Sequence, residues 1–142
     1  MKLSRKGEYA LRALMDLAFN YGKGLEHLDD IAGNGGIPRS FLEQILITLK
    51  NAGIVESRRG ANGGYRLKRP PEQIKVGEVI RLIDGPLAPF NDRRGLEELI
   101  RSEGRYRGLY STILEVRNAV AEILDNTTLA DLCRRSVEAE EG

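Results

Sequence analysis

The chain has 142 residues, 41% hydrophobic and 30% charged, with a net charge of +1 and a mean hydropathy of −0.36. That length suits one folded core with a small appendage, and no apolar run approaches the roughly 20 residues of a membrane span. A single cysteine, Cys133, and a single histidine, His27, exclude an internal disulfide and leave too few ligands for a structural zinc site or an internally held iron–sulfur cluster.

The near-neutral total hides an asymmetry. Residues 1–69 carry 12 Lys+Arg against 7 Asp+Glu, or +5, and residues 70–142 carry 10 against 14, or −4. A basic half joined to an acidic half points to a polyanionic partner for the first. Glu8, Arg12 and Asp16 interrupt the apolar stretch near the N-terminus, so a mature, cytoplasmic start is expected rather than a signal peptide.

In chain order, Ala10, Leu11, Leu14, Leu17, Ala18 and Tyr21 recur at helical spacing and predict an amphipathic helix from Ser4 to Tyr21, stopped by Gly22 and Gly24. A brief helix from Leu28 to about Asn34 follows, with His27 as its cap, and Gly35-Gly36 break it. Pro38 suits the first turn of a third helix, whose buried stripe is Phe41, Leu42, Ile45, Leu46 and Leu49 and which ends at Gly53. Its other face holds Arg39, Ser40, Glu43, Gln44 and Thr48.

The runs Ile54 to Ser57 and Tyr65 to Leu67 flank a glycine-rich loop, and Asn62-Gly63 is a hairpin-turn dipeptide, so a two-stranded ribbon is expected. Arg69-Pro70-Pro71-Glu72 ends it, continuing neither strand nor helix. Val76 to Ile83 reads as a further helix with Val76, Val79, Ile80 and Ile83 on one face, followed by a bend at Gly85-Pro86-Leu87-Ala88-Pro89. The charged stretch from Phe90 to Gly108 has one plausible helix, Leu96 to Ser102, and the cluster Asp92, Arg93, Arg94, Glu97, Glu98 reads as a solvated face. Leu109, Ile113, Val116, Val120 and Ile123 then step by 4, 3, 4 and 3, the narrow heptad seam of a helix that pairs with its own copy. Asn126-Thr127-Thr128 offers a cap to a last short helix trailing into the acidic EAEEG.

Helix, short helix, turn, helix, hairpin is the order of a winged helix-turn-helix. In that arrangement the third helix enters the major groove. Arg39 then suits guanine or phosphate, Gln44 adenine, Glu43 a cytosine amino group, and Ser40 a phosphate or a base. In SRRGANGGYRLKR, Ser57 to Arg69, the glycines permit close approach to a narrow groove while Arg58 and Arg59 before the turn and Arg66, Lys68 and Arg69 after it present charge to phosphates. Lys2, Arg5 and Lys6 are placed to hold flanking backbone. Cys133 reads first as a packing residue, with Arg134 and Arg135 the only nearby features favouring a thiolate. No nucleophile–base pair, paired carboxylate or cofactor fingerprint is visible, so no enzymatic activity is expected.

MKLSRKGEYALRALMDLA, IPRSFLEQIL, VESRRGANGGYRLKRPPEQI, VGEVIRLIDGPLAP and LDNTTLADL together resemble the BadM/Rrf family of bacterial transcription regulators, in register over nearly the whole chain. The resemblance implies a mainly α fold with a small β-hairpin wing, in three parts: a winged domain over 1–84 (helix-turn-helix about 28–52, wing about 54–69), a variable connecting or sensing segment over 85–108, and a dimerisation helix with a terminal short helix over 109–142. It implies a homodimer that binds double-stranded DNA at a palindromic operator and represses. The family's recognition positions correspond to Arg39, Ser40, Phe41, Glu43 and Gln44, and its wing to Arg59 through Tyr65, including Asn62 and Gly63, with Arg59 entering the minor groove. Cluster-binding members carry three cysteines after the Gly-Pro-Leu-Ala-Pro bend. This chain has none there, so it resembles the cluster-free branch, one member of which is controlled through a complex with a cysteine-synthesis enzyme. Either a small-molecule effector or such a partner enzyme would supply the signal. The alternative is an interaction module that binds a metabolic enzyme, with DNA binding secondary.

Overall fold

The computed structural model describes residues 3–86 and 93–141. They form helices α1 (Arg5–Phe19), α2 (Leu28–Gly35) and α3 (Arg39–Asn51), a hairpin of β1 (Val55–Arg58) and β2 (Gly64–Leu67), then α4 (Val76–Asp84), α5 (Arg93–Ser102), α6 (Arg107–Asp125) and α7 (Leu129–Glu141). The class is the expected one, mainly α with a two-stranded antiparallel wing.

The core is built from the helical stripes. Ala10, Ala13, Leu14 and Leu17 of α1 meet Ile31 of α2 and Leu42, Ile45, Leu46 and Leu49 of α3, all essentially inaccessible to solvent. Ser4 caps α1 by accepting from the Gly7 N–H at 2.9 Å, and its hydroxyl donates to Asp84 at the end of α4. α1 stops at Phe19, two residues short of the expected Tyr21, which stands 44% exposed outside the core. Lys2 lies outside the described residues.

Three local expectations are corrected. His27 occupies the N-cap of α2, but its side chain makes no capping bond. Pro38 is the N-cap of α3 rather than a residue of its first turn. Phe41 is not in the buried stripe: it is 45% exposed and meets Tyr9 edge-to-face, ring centroids 5.9 Å apart. A residue on the flank of the apolar arc is buried only if a neighbouring element covers it, and α1 covers Phe41 on one side only.

The wing turn also differs. The register Val55↔Leu67 through Arg58↔Gly64 leaves five loop residues, 59–63. The Gly63 N–H donates to the Gly60 carbonyl at 3.0 Å, so Ala61-Asn62, not Asn62-Gly63, forms the centre of the turn. In the wing, positive φ falls on Gly60 (105°) and Gly64 (149°), and among the described residues it falls on no non-glycine residue. The reason lies outside the hairpin. Tyr65 exchanges two 2.8 Å backbone bonds with Glu26, holding Gly64 so close that a Cβ there would overlap the Glu26 carbonyl. Residue 64 therefore belongs to the strand, and the turn must close before it.

Pro71–Gln73 form a single 3₁₀ turn where no helix was expected. Beyond it the C-terminal elements are stitched to the winged part. Val76 N–H donates to the Thr127 carbonyl at 2.8 Å, and Leu129 N–H to the Ile74 carbonyl at 2.9 Å. Val76 and Ile80 pack with Ala121, Leu124 and Leu132, while Leu129 enters the main core. The expected cap is present as a reciprocal pair: Thr128 Oγ1 accepts from the Asp131 N–H and Asp131 Oδ2 from the Thr128 N–H. The last helix is not short, running 13 residues through the acidic stretch to Glu141, with Arg134 bridging Asp131 and Glu138 along its face.

α5 starts at Arg93, three residues before the expected helix, extended by the Arg93–Glu97 pair at 3.1 Å. Its Leu96 is fully buried. The expected bend falls partly, and Phe90, Asn91 and Asp92 wholly, outside the described residues. α6 has no buried residue.

Candidate nucleic-acid interface

α3 presents two faces. At 3.6 residues per turn, Leu42, Ile45, Leu46 and Leu49 face the core, and Ser40, Glu43, Gln44, Ile47 and Asn51 point away from it, all exposed. Lys6 of α1 closes one side of this face, and Lys6, Ser40, Phe41 and Gln44 line a cavity of about 310 Å³. The Tyr9–Phe41 contact fixes its aromatic wall. Thr48 Oγ1 donates to the Gln44 carbonyl at 3.2 Å, which keeps Thr48 within the helix.

Arg39 and Glu43 are less free than the sequence suggests. Arg39 Nη1 lies 2.8 Å from Asp29 Oδ1 of α2, and its Nε 3.3 Å from Glu43 Oε1. The three side chains are more than half exposed, so this chain of charges orients Arg39 across the two helices at little energetic gain. A nucleic acid could draw Arg39 away from Asp29 without exposing a buried charge.

The wing separates its basic residues into two sets. Arg66 pairs with Glu56 across the strands at 2.5 Å, and Arg69 pairs with Glu78 of α4 at 2.5 and 2.7 Å. These two are ion pairs within the chain, so of the five basic residues expected to present charge to phosphates Arg66 and Arg69 already have carboxylate partners. Arg58, Arg59 and Lys68 are exposed, and among the described residues no carboxylate lies within ion-pair distance of them. Asn62 is exposed in the loop, Gly63 is buried against the Arg58 backbone, and Tyr65 is half-buried at the Glu26 bridge.

Beneath the wing lies a group that sequence reading missed. Glu26 Oε2 is buried without a hydrogen-bond partner, and burial, with Asp16 of α1 and Asp30 of α2 facing it, raises its carboxyl to about 7. Asp16 in turn accepts from the Asn34 amide at 3.2 and 3.4 Å. Burial first, and then the negative charge of Asp16 and Asp30, favour the uncharged form of Glu26. Paired carboxylates thus do occur, at the root of the wing.

Comparison with known proteins identifies the assembly. Residues 3–135 match the Rrf2 family model, described as an iron-dependent transcriptional regulator. The chain belongs to the Rrf2 family. It is 41% identical over 132 residues to the HTH-type transcriptional regulator CymR of Bacillus subtilis, covering 93% of this chain and 89% of that one. The solved structure of CymR, the global cysteine regulator of B. subtilis, superposes with a TM-score of 0.79 at 38% identity, covering 95% of this chain and 98% of the other. The IscR structure from T. potens gives 0.75 at 37% identity, covering 98% and 90%. This Rrf2 protein is accordingly an HTH-type, DNA-binding transcriptional regulator.

The family description names iron, and the donors present decide whether this chain fits a cluster. In 142 residues there is one cysteine and one histidine, whereas iron–sulfur clusters are held chiefly by several cysteine thiolates. Among the described residues no three His, Cys, Asp or Glu side chains are placed to hold a metal ion. Cys133 faces the Met15 carbonyl, Sγ to O 3.8 Å, and burial pushes its thiol pKa up, the opposite of an activated thiolate. The residues do not fit an iron–sulfur cluster.

Proposed function

We propose that this Rrf2 regulator is a homodimeric repressor reading a palindromic operator, without an iron–sulfur cluster. The observation carrying the proposal is the pairing of two surfaces: a polar outer face on α3 with Arg58, Arg59 and Lys68 exposed beside it, and a heptad row on α6, Leu109, Val116 and Ile123, standing 55%, 52% and 63% exposed. Three aliphatic residues at seven-residue spacing form a seam. Ile113 and Val120 are half-buried along the same line. Two copies joined along α6 would present two recognition helices to two half-sites, separated by one helical turn or a multiple of it.

Ser40, Glu43 and Gln44 would read base edges, with Arg39 released from Asp29 to reach guanine or phosphate. Phe41 and Lys6 would bound the groove side of the cavity, and Arg58 and Arg59, with Asn62, Gly63 and Tyr65 shaping the loop, would meet the flanking minor groove. The residue divisions 1–84, 85–108 and 109–142 would then correspond to reading, signal and pairing. An effector or a partner enzyme acting on α5 and α6 would set the state. The alternative, an enzyme-binding module with secondary DNA binding, leaves Arg58, Arg59 and Lys68 without a role.

The test is a titration of the chain against the DNA upstream of its own operon over a range of salt. Arg59→Ala is expected to weaken binding to all sequences and lower the salt slope by about 1. Gln44→Ala is expected to relax preference at one base-pair position by about 1–3 kcal/mol. Equal losses for Gln44→Ala across every operator variant would remove base reading from it, and salt-independent binding would remove the electrostatic role of the wing.

A further inference from the structure

We infer that Ile47 is a sequence-reading residue of the recognition helix, one that contacts the C5-methyl group of a thymine in each half-site. The inference rests on the DNA-reading role proposed above for α3. Ile47 is 60% exposed, the largest exposure of any aliphatic residue in α1 to α4. Single exposed aliphatics are ordinary on protein surfaces; its position is what distinguishes this one. At 100° per residue, Ser40, Gln44, Ile47 and Asn51 fall within about 60° of arc, diametrically opposite the buried Leu42, Ile45, Leu46 and Leu49. Ile47 is therefore in the middle of the outward row, flanked by Glu43, Gln44, Lys50 and Asn51, not at its apolar edge as Phe41 is.

The chemistry then selects the ligand. A polar helix face that meets a major groove encounters donors, acceptors and one apolar group, the thymine methyl. A branched aliphatic side chain can make no hydrogen bond, so among base edges only that methyl rewards it. A phosphate or a cytosine amino group at the same place would be desolvated without compensation. Ile47 lies about 4.5 Å along the axis from Gln44, three residues at 1.5 Å, against a base-pair rise of about 3.4 Å. The thymine is accordingly expected one or two base pairs from the position Gln44 reads.

The experiment separates this inference from the reading beneath it. Operators are first selected with the full chain from a random duplex pool, and each thymine of the resulting site is then replaced singly by deoxyuridine, which removes only the methyl. Wild type is expected to lose about fourfold in affinity at one thymine per half-site, the worth of one buried methyl, and about sixteenfold when both half-sites are changed. Ile47→Ala should bind the thymine and uracil forms equally, and Ile47→Val should keep an intermediate penalty. Because Ile47 touches solvent rather than the core, thermal melting of these variants should match wild type. A consensus in which every methyl is dispensable, or a methyl penalty that survives in Ile47→Ala, overturns the inference and leaves the regulator reading intact. A pool that yields no consensus overturns both.

Discussion

At the scale of single residues, Glu26 has the sharpest consequence. Its carboxyl keeps a proton up to about pH 7 in the folded chain, whereas an unfolded glutamate loses it near 4.3. The folded state therefore binds the extra proton between those values, so the associated stability is present in full below about pH 4.3 and is lost as pH rises through about 7. Glu26→Gln cannot ionise and should be more stable than wild type at pH 8, with the difference shrinking steadily below about pH 7 and vanishing only near about pH 4. Because the carboxyl is only partly withdrawn from water, the gain is expected at about 1 kcal/mol, a few degrees in melting temperature. Melting curves at pH 5, 6, 7 and 8 check it, and a constant offset between the two proteins would refute the assignment. Nothing local betrays this group: Asp16 and Glu26 are ten residues apart and meet only because α1 and the wing bridge cross.

Among the elements, the wing depends on a contact outside its own sequence. Tyr65 and Glu26 form a one-residue third strand, and Gly64 is required there both by its φ of 149° and by the Glu26 carbonyl against it. Gly64→Ala is expected to cost about 1–3 kcal/mol, read as a lower denaturant midpoint, and to weaken DNA binding together with stability because the wing is re-aimed. An unchanged midpoint would show that the bridge does not set the wing. The elements themselves were largely legible. The stripes of α1, α3 and α4 and the heptad steps of α6 follow from helical periodicity, and the Thr128 cap from its residue type. Boundaries slipped where something non-local decided them. α7 continues through an acidic stretch because Leu129 is anchored in the core and Arg134 spans Asp131 and Glu138. The wing turn moved because Glu26 holds Gly64 in the strand.

For the whole molecule, the proposed dimer turns on the side of α6 that the rest of the chain leaves uncovered. α6 is held on its inner side by α4 and α5, with Arg81 and Asp125 joined at 2.6 and 2.8 Å, and this guanidinium holds the Asp125 carboxyl below its usual range. The outer side retains the exposed Leu109, Val116 and Ile123. Val116→Asp places a charge in that seam without entering the core, and is expected to split the proposed dimer into 15.8 kDa monomers with operator affinity falling by at least tenfold. Sedimentation velocity and the binding titration check the two halves of that expectation. A Val116→Asp protein that stays dimeric would place the interface elsewhere.

The sequence by itself determined what depends on neighbours along the chain. The periodicities of the helices, the polar outer row of α3, the +5 and −4 halves, the single cysteine and the family signatures are all properties of spacing and composition. Only the tertiary structure decided which charges are spent internally and which remain. Arg66 and Arg69 are neutralised by Glu56 and Glu78, Arg39 is shared between Asp29 and Glu43, and Arg58, Arg59 and Lys68 are left outward. The reason is physical. Hydrophobic patterning is set by the repeat of the backbone, whereas an ion pair or a raised carboxyl pKa requires two side chains to be brought within a few ångströms by elements whose crossing no local pattern specifies.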